Sequence, residues 1–101
     1  MIGVQVHYRV KKSKVAAAKK AISAFVDAIR RHEPGTISYE AFQQPDGVSF
    51  VHVMTFKDAR SQKVHQGTPH VKVFTGILYP LCEEEPVFTT LVPMAATSKK
   101  R

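Results

Sequence analysis

The spacing of the apolar residues changes period along the chain, and that change restricts the folds available to it. Ile2, Val4, Val6, Tyr8 and Val10 alternate with Gly3, Gln5, His7 and Arg9, the period of two expected of a strand. From Ser13 the spacing becomes helical, with Val15, Ala18, Ile22, Phe25, Val26 and Ile29 recurring every three or four positions. Ser13 is placed to cap that helix, and the HEPG stretch at 32–35 is placed to end it. Residues 36–42 read as a second strand. The QPDG stretch at 44–47 carries Pro and Gly where a tight turn uses them, so a hairpin is predicted into a third strand over 48–56. Asp58 can cap the next helix, which carries Val64 and His65. Gly67 interrupts it, and Thr68 caps a fresh helix with Pro69 at its first position, where the missing N–H is no loss. Val71, Phe74, Ile77 and Leu78 line one face of that segment, Pro80 ends it, and 86–94 reads as the last strand.

Strand, helix, strand, strand, helix, strand is the ferredoxin-like βαββαβ order. It predicts an α+β fold in which a four-stranded antiparallel sheet carries helices on one face. A chain of 101 residues fits one such domain, expected over 1–95, with a basic, disordered tail over 96–101. Helices on one face leave the other to be explained. The third strand is apolar on both sides, with Val48, Phe50, Met54 and Phe56 on one and Val51 and Val53 on the other. Phe42, Phe88, Val92 and Met94 add to the excess. A monomer should not expose so much apolar surface, so the second face is expected to pack on the sheet of an identical chain. The space between two such sheets, lined by Phe, Met and His, is the expected ligand pocket.

Composition narrows the class of protein. Hydrophobic residues make up 44% of the chain, which argues for a packed core, yet no apolar run is long enough to cross a bilayer. The first residues lack the features of a secretory leader, and Cys82 is the lone cysteine, so a soluble cytoplasmic protein without membrane contact is expected. The formal charge of +7 draws on Lys99, Lys100 and Arg101 and on a basic run from Arg9 to Lys20. No aromatic residue interleaves with that run as in an RNA-stacking surface, so nucleic acid is not the expected partner.

The candidates for chemistry are mostly histidines. His52 shares a strand face with Phe50, Met54 and Phe56, which makes it either a core residue or a titratable group in an apolar cavity. His65 precedes the Gly67 break and could take a proton from a phenol or quinol near neutral pH. His70 falls in the first turn of a helix, where it could donate a hydrogen bond or serve the junction itself. His7 lies on the more polar side of the first strand, and His32 at a helix end. Tyr39 and Glu40 are strand neighbours, so at most one of them enters a pocket. No Gly-rich phosphate loop, Ser-His-Asp arrangement, metalloprotease spacing or metal-binding carboxylate cluster is present.

Glu33-Pro34-Gly35, Pro45-Asp46, Phe56-Lys57-Asp58 and His65-Gln66-Gly67-Thr68-Pro69-His70, in that order and spacing, resemble the antibiotic biosynthesis monooxygenase family of dimeric α+β barrel proteins. The resemblance spans about residues 2–94. Its best-known members oxidise quinols or phenolic polyketides with O₂ and need no metal or flavin. Other members degrade haem or isomerise a phosphorylated autoinducer. Met54 stands where many relatives carry a glutamate, and the chain has no tryptophan, a residue that the haem-degrading members use. The resemblance therefore implies a homodimeric, cofactor-independent monooxygenase of a small quinol or phenol. His65 and His52 are the candidate catalytic residues. His70, His7, Tyr39, Phe50, Met54 and Phe56 are the candidate substrate contacts. A sugar-phosphate isomerase is the first rival and expects a basic residue, Arg9, inside the pocket. A non-catalytic ligand-binding dimer is the second.

Overall fold

The period-two segments form strands and pair as the element order predicts. In the computed structural model, which describes residues 1–97, the strands are β1 (Ile2–Arg9), β2 (Thr36–Gln43), β3 (Ser49–Phe56) and β4 (Val87–Leu91). The helices are α1 (Val15–His32), α2 (Ala59–Gln66) and α3 (Pro69–Leu78). The strands form one antiparallel sheet in the order β2-β3-β1-β4. Together they make the ferredoxin-like α+β fold. The basic residues Lys99, Lys100 and Arg101 of the expected tail lie outside the described residues. No helix among the described residues is long and apolar enough to cross a membrane.

Turn and cap chemistry accounts for most boundaries. Gly47 closes the β2–β3 hairpin at φ 80°, a conformation that strains any residue with a Cβ. The Asp46 carboxylate secures the same turn by accepting from the N–H groups of Val48 and Ser49. Gly35 is required for a different reason. A Cβ there would lie 2.2 Å from Ser61 Oγ and 2.6 Å from its Cβ, because the start of β2 passes against α2. Asp58 caps α2 by accepting from Ser61 N–H at 2.8 Å. At the α2–α3 break, Thr68 Oγ1 accepts from Val71 N–H at 3.3 Å and donates to the His65 carbonyl at 2.9 Å. A cap of this kind contributes about 1 kcal/mol.

Three expectations need correction. Ser13 does not cap α1: a tight 3₁₀ turn, Lys12–Lys14, precedes the helix, and no side chain caps either segment. Such a turn satisfies some of the free N–H groups through its own backbone, as Lys14 N–H does on the Lys11 carbonyl at 2.8 Å. The last strand stops at Leu91 rather than Met94. Its pairing runs out when Leu91 meets Gly3 near the start of β1, and Val92 and Met94 beyond it are exposed. Ile77 is exposed as well. The buried stripe of α3 runs through Phe74 and Leu78, with Val71 half-buried, and Ile77 sits at its margin.

Strand register determines the two faces of the sheet. Val6, His52 and Ala41 form one cross-strand row, and Val4, Met54 and Tyr39 form the next. This is the face beneath the helices. It meets Ile22, Phe25 and Ile29 of α1 and Phe74 and Leu78 of α3 in one core. The Phe25 and Phe74 rings stack at 4.2 Å and tie α1 to α3. The opposite face carries Phe42, Val51, His7 and Val87 in one row and Glu40, Val53, Gln5 and Thr89 in the next. Phe42 and Val87 are exposed there, whereas Phe88 pairs with Val6 on the helix side and Val92 and Met94 lie beyond β4, so only part of the expected apolar excess is on this face.

Candidate active site

The strand parity that buries Met54 and Phe56 also turns His52 under the helices. A cavity of about 440 Å³ opens there, between the sheet and the helical layer of a single chain. Val4, Val6, Met54, Phe56, Phe25 and Phe74 supply much of its apolar wall, and Tyr8, Tyr39, His52 and His65 supply polar groups. This corrects the expectation of a pocket between two sheets. Phe50, Met54 and Phe56 occupy the helix-facing side of β3, so the aromatic and sulfur side chains cannot line a space on the other side.

Two hydrogen-bonded groups are built into the site. In the first, His52 is 1% exposed and sits between two tyrosines. Its Nε2 lies 2.7 Å from Tyr8 Oη and its Nδ1 lies 2.7 Å from Tyr39 Oη. Burial disfavours the imidazolium and pushes the His52 pKa down to about 4, so the ring is neutral at neutral pH. Burial likewise raises the Tyr8 and Tyr39 pKa values, and the Glu33 carboxylate adds to the rise at Tyr39. Both phenols therefore stay protonated.

The second group centres on Glu33, which is 5% exposed. His65 Nδ1–H donates to Oε1 at 2.8 Å, Thr36 Oγ1–H donates to the same oxygen at 2.7 Å, and His70 Nε2–H donates to Oε2. Burial alone would raise the pKa of this carboxyl. The hydrogen bonds from Thr36, His70 and His65 outweigh it and hold the group below the ordinary glutamate value. With Nδ1–H committed to the carboxylate, Nε2 is the ring nitrogen left over for another partner. The ring lies 5.2 Å from Phe56 and 6.0 Å from Tyr39, on the cavity wall.

The fold brings together His52, His65, Tyr39, Met54 and Phe56 of the candidates read from sequence. It places three others elsewhere. His7 is on the opposite face of the sheet, paired with Val51. Phe50 faces the core but stacks behind Tyr8 at 5.6 Å. His70 reaches Glu33 from outside the cavity wall. Of the strand neighbours, Tyr39 enters and Glu40 faces out. A bulge between Thr36 and Ser38 sets this: Thr36 pairs with Phe56 on the inner face, the extra residue shifts the alternation, and Tyr39 pairs with Met54 on the same face. Sequence reading missed two residues, Tyr8 and Glu33. Tyr8 read as one more apolar strand position, and Glu33 as part of a helix stop. A carboxylate inside a helix-ending motif, with two histidines later in the chain, was the available signal for Glu33. Among the described residues, no group of three or more His, Cys, Asp or Glu is arranged to hold a metal ion.

Residues 1–76 match the family described as antibiotic biosynthesis monooxygenase. No curated protein matches the chain. Solved structures share the fold closely. A Nitrosomonas europaea protein carrying the same family description superposes with a TM-score of 0.87 at 23% identity, over 94% of this chain and 100% of that one. A Caulobacter crescentus protein with that description gives 0.87 at 21% identity, over 93% and 90%. A Bacteroides thetaiotaomicron protein described as a conserved protein of unknown function and possible oxidoreductase gives 0.78 at 23% identity, over 89% and 96%.

Proposed function

The chain belongs to the antibiotic biosynthesis monooxygenase family, and we propose that it oxidises a small phenol or quinol with O₂ without a cofactor of its own. The observation that carries this reading is an apolar cavity with a carboxylate-oriented imidazole on its wall. Cofactor-free oxygenation requires the substrate to donate its own electrons, so it must first become an anion in a dry site. His65 Nε2 takes the hydroxyl proton, and the Glu33 carboxylate lies beside the positive charge that the ring acquires. The anion passes an electron to O₂, and the radical pair joins at a ring carbon to give a peroxide. That carbon's hydrogen passes as a proton to the outer peroxide oxygen while the O–O bond breaks, which leaves a carbonyl and expels hydroxide. The departing hydroxide takes a proton from His65 and leaves as water. A phenol with an open para position thus becomes a quinone, one oxygen atom is retained, and the substrate supplies all the electrons.

Sugar-phosphate isomerisation fits less well. It calls for a cation in the cavity, whereas Arg9 is exposed and, among the described residues, no Lys or Arg lines the wall. Oxygen-electrode measurements on a panel of hydroquinones and naphthols test the main reading. Uptake above the uncatalysed rate is expected without added flavin or metal. No uptake with any member of the panel overturns it.

The same reading includes a homodimer through the open sheet face, where Phe42, Val51, Val53, Val87 and Leu91 form the apolar surface. Burying about 600 Å² of apolar area per subunit would supply roughly 15 kcal/mol before the costs of association. Sedimentation is expected to give a dimer at micromolar concentration, with Val51→Lys weakening it. A stable wild-type monomer there rules the dimer out.

A further inference from the structure

The Tyr8–His52–Tyr39 chain has more donor hydrogens than it can use. Each phenol carries one O–H, and a neutral imidazole carries one N–H and one lone pair. Only two links join the three groups, Tyr8 Oη to Nε2 and Tyr39 Oη to Nδ1. A ring with one N–H donates across one link and accepts across the other. The tyrosine that accepts from the ring therefore keeps a hydrogen with no partner inside the chain. The position of the ring proton decides which tyrosine that is. With Nδ1–H, the spare hydrogen is on Tyr39; with Nε2–H, it is on Tyr8.

We propose that Tyr39 presents this spare O–H to the oxygen anion of a phenolic ligand, with His52 held in its Nδ1–H tautomer by a hydrogen bond from Tyr8. The proposal rests on the reading of the cavity as a phenol site. Position favours Tyr39 over Tyr8. Tyr39 and His65 line the same cavity with ring centroids 6.0 Å apart, and the ligand oxygen would sit between them. Tyr8 is 2% exposed and its ring is stacked on Phe50, further into the core. Polarity favours the same direction. Tyr8 donates to His52, His52 donates to Tyr39, and Tyr39 donates to the ligand, so each bond polarises the next toward the anion. In the other tautomer Tyr39 would turn its hydrogen to Nδ1 and only lone pairs to the anion. Tyr39 is then a ligand-contacting residue, and His52 and Tyr8 are positioning residues that set the direction of its hydrogen.

The test uses 4-nitrophenol, whose absorption separates phenol from phenolate, and 4-nitrotoluene, which has a similar shape and lacks the oxygen. Wild-type protein is expected to bind both and to hold the nitrophenol as its anion. Tyr39→Phe is expected to bind the anion about 10- to 100-fold more weakly, the loss of one hydrogen bond to a charged group, and to bind nitrotoluene as before. Unchanged nitrotoluene binding also reports that the variant folds. Nitrogen NMR of histidine-labelled wild-type protein supplies a second readout, since the complex is expected to carry the His52 proton on Nδ1. Nitrophenolate binding that Tyr39→Phe leaves intact, or an Nε2–H tautomer in the complex, overturns the assignment. Wild-type protein that binds neither probe overturns it together with the phenol-site reading. Tyr39-dependent phenolate binding without oxygen uptake from any quinol supports the assignment and removes only the oxygenase reading.

Discussion

Replacing His65 by alanine is expected to lower kcat on a quinol substrate by roughly 10²- to 10⁴-fold while the fold survives, the usual contribution of a positioned general base. The reason is the division of labour on one ring. Nδ1–H is held by Glu33 at 2.8 Å, which fixes the tautomer and the orientation, and Nε2 is left to take the proton. His65→Gln preserves a hydrogen-bonding group of similar reach but offers no imidazole nitrogen to protonate, so it should be nearly as impaired. Steady-state kinetics on the best quinol from the panel, with circular dichroism as the check on folding, reads both variants. Full activity in both would reduce His65 to a residue that ties the helix junction together.

Acid should destabilise the protein well above the pH at which its carboxylates titrate, because of His52. Its folded pKa of about 4 lies below the ordinary histidine value of about 6.5. Between those values the unfolded chain binds a proton that the folded chain refuses, so unfolding becomes easier as pH falls. The contribution is complete above about pH 6.5 and is lost on the way down to about pH 4. At about 1.4 kcal/mol per pH unit, the loss sums to roughly 3 kcal/mol. Glu33 acts in the same sense at lower pH. Its pKa is depressed, so its stabilisation is present above the unfolded carboxyl value of about 4.3 and is lost as pH falls through the folded one. Urea unfolding at a series of pH values separates the two groups. His52→Phe should flatten the curve between pH 6.5 and 4 and leave the steeper fall below it. An unchanged slope in that variant would mean that His52 is not the group responsible.

Both expectations depend on residues that differ in how visible they were beforehand. His65 stood beside a Gly-Thr-Pro break with cap chemistry on either side, and its place at a helix junction followed from local sequence alone. His52 could be put on a strand face with Phe50, Met54 and Phe56, but nothing local said whether that face was core, cavity or subunit interface. Glu33 was overlooked because a charged residue in a helix-ending stretch is ordinarily solvated. Tyr8 was overlooked because it fits the apolar alternation of β1 as well as a valine would.

What the chain determined by itself is the set of features encoded within a few residues: the two periods, the Gly47 turn, the Asp58 and Thr68 caps, and through them the order and type of the elements. Those features are local because backbone sterics and short-range hydrogen bonds decide them. The site was decided at longer range. Tyr8 reaches His52 across 44 residues of sequence, and His65 and His70 reach Glu33 across 32 and 37. These contacts depend on strand register and on how α2 and α3 settle on the sheet. The bulge between Thr36 and Ser38 makes the point most directly. One extra residue in β2 reverses the alternation and sends Tyr39, rather than Glu40, beneath the helices. The reversal is imposed by pairing with β3, so it becomes visible only once the two strands are laid side by side.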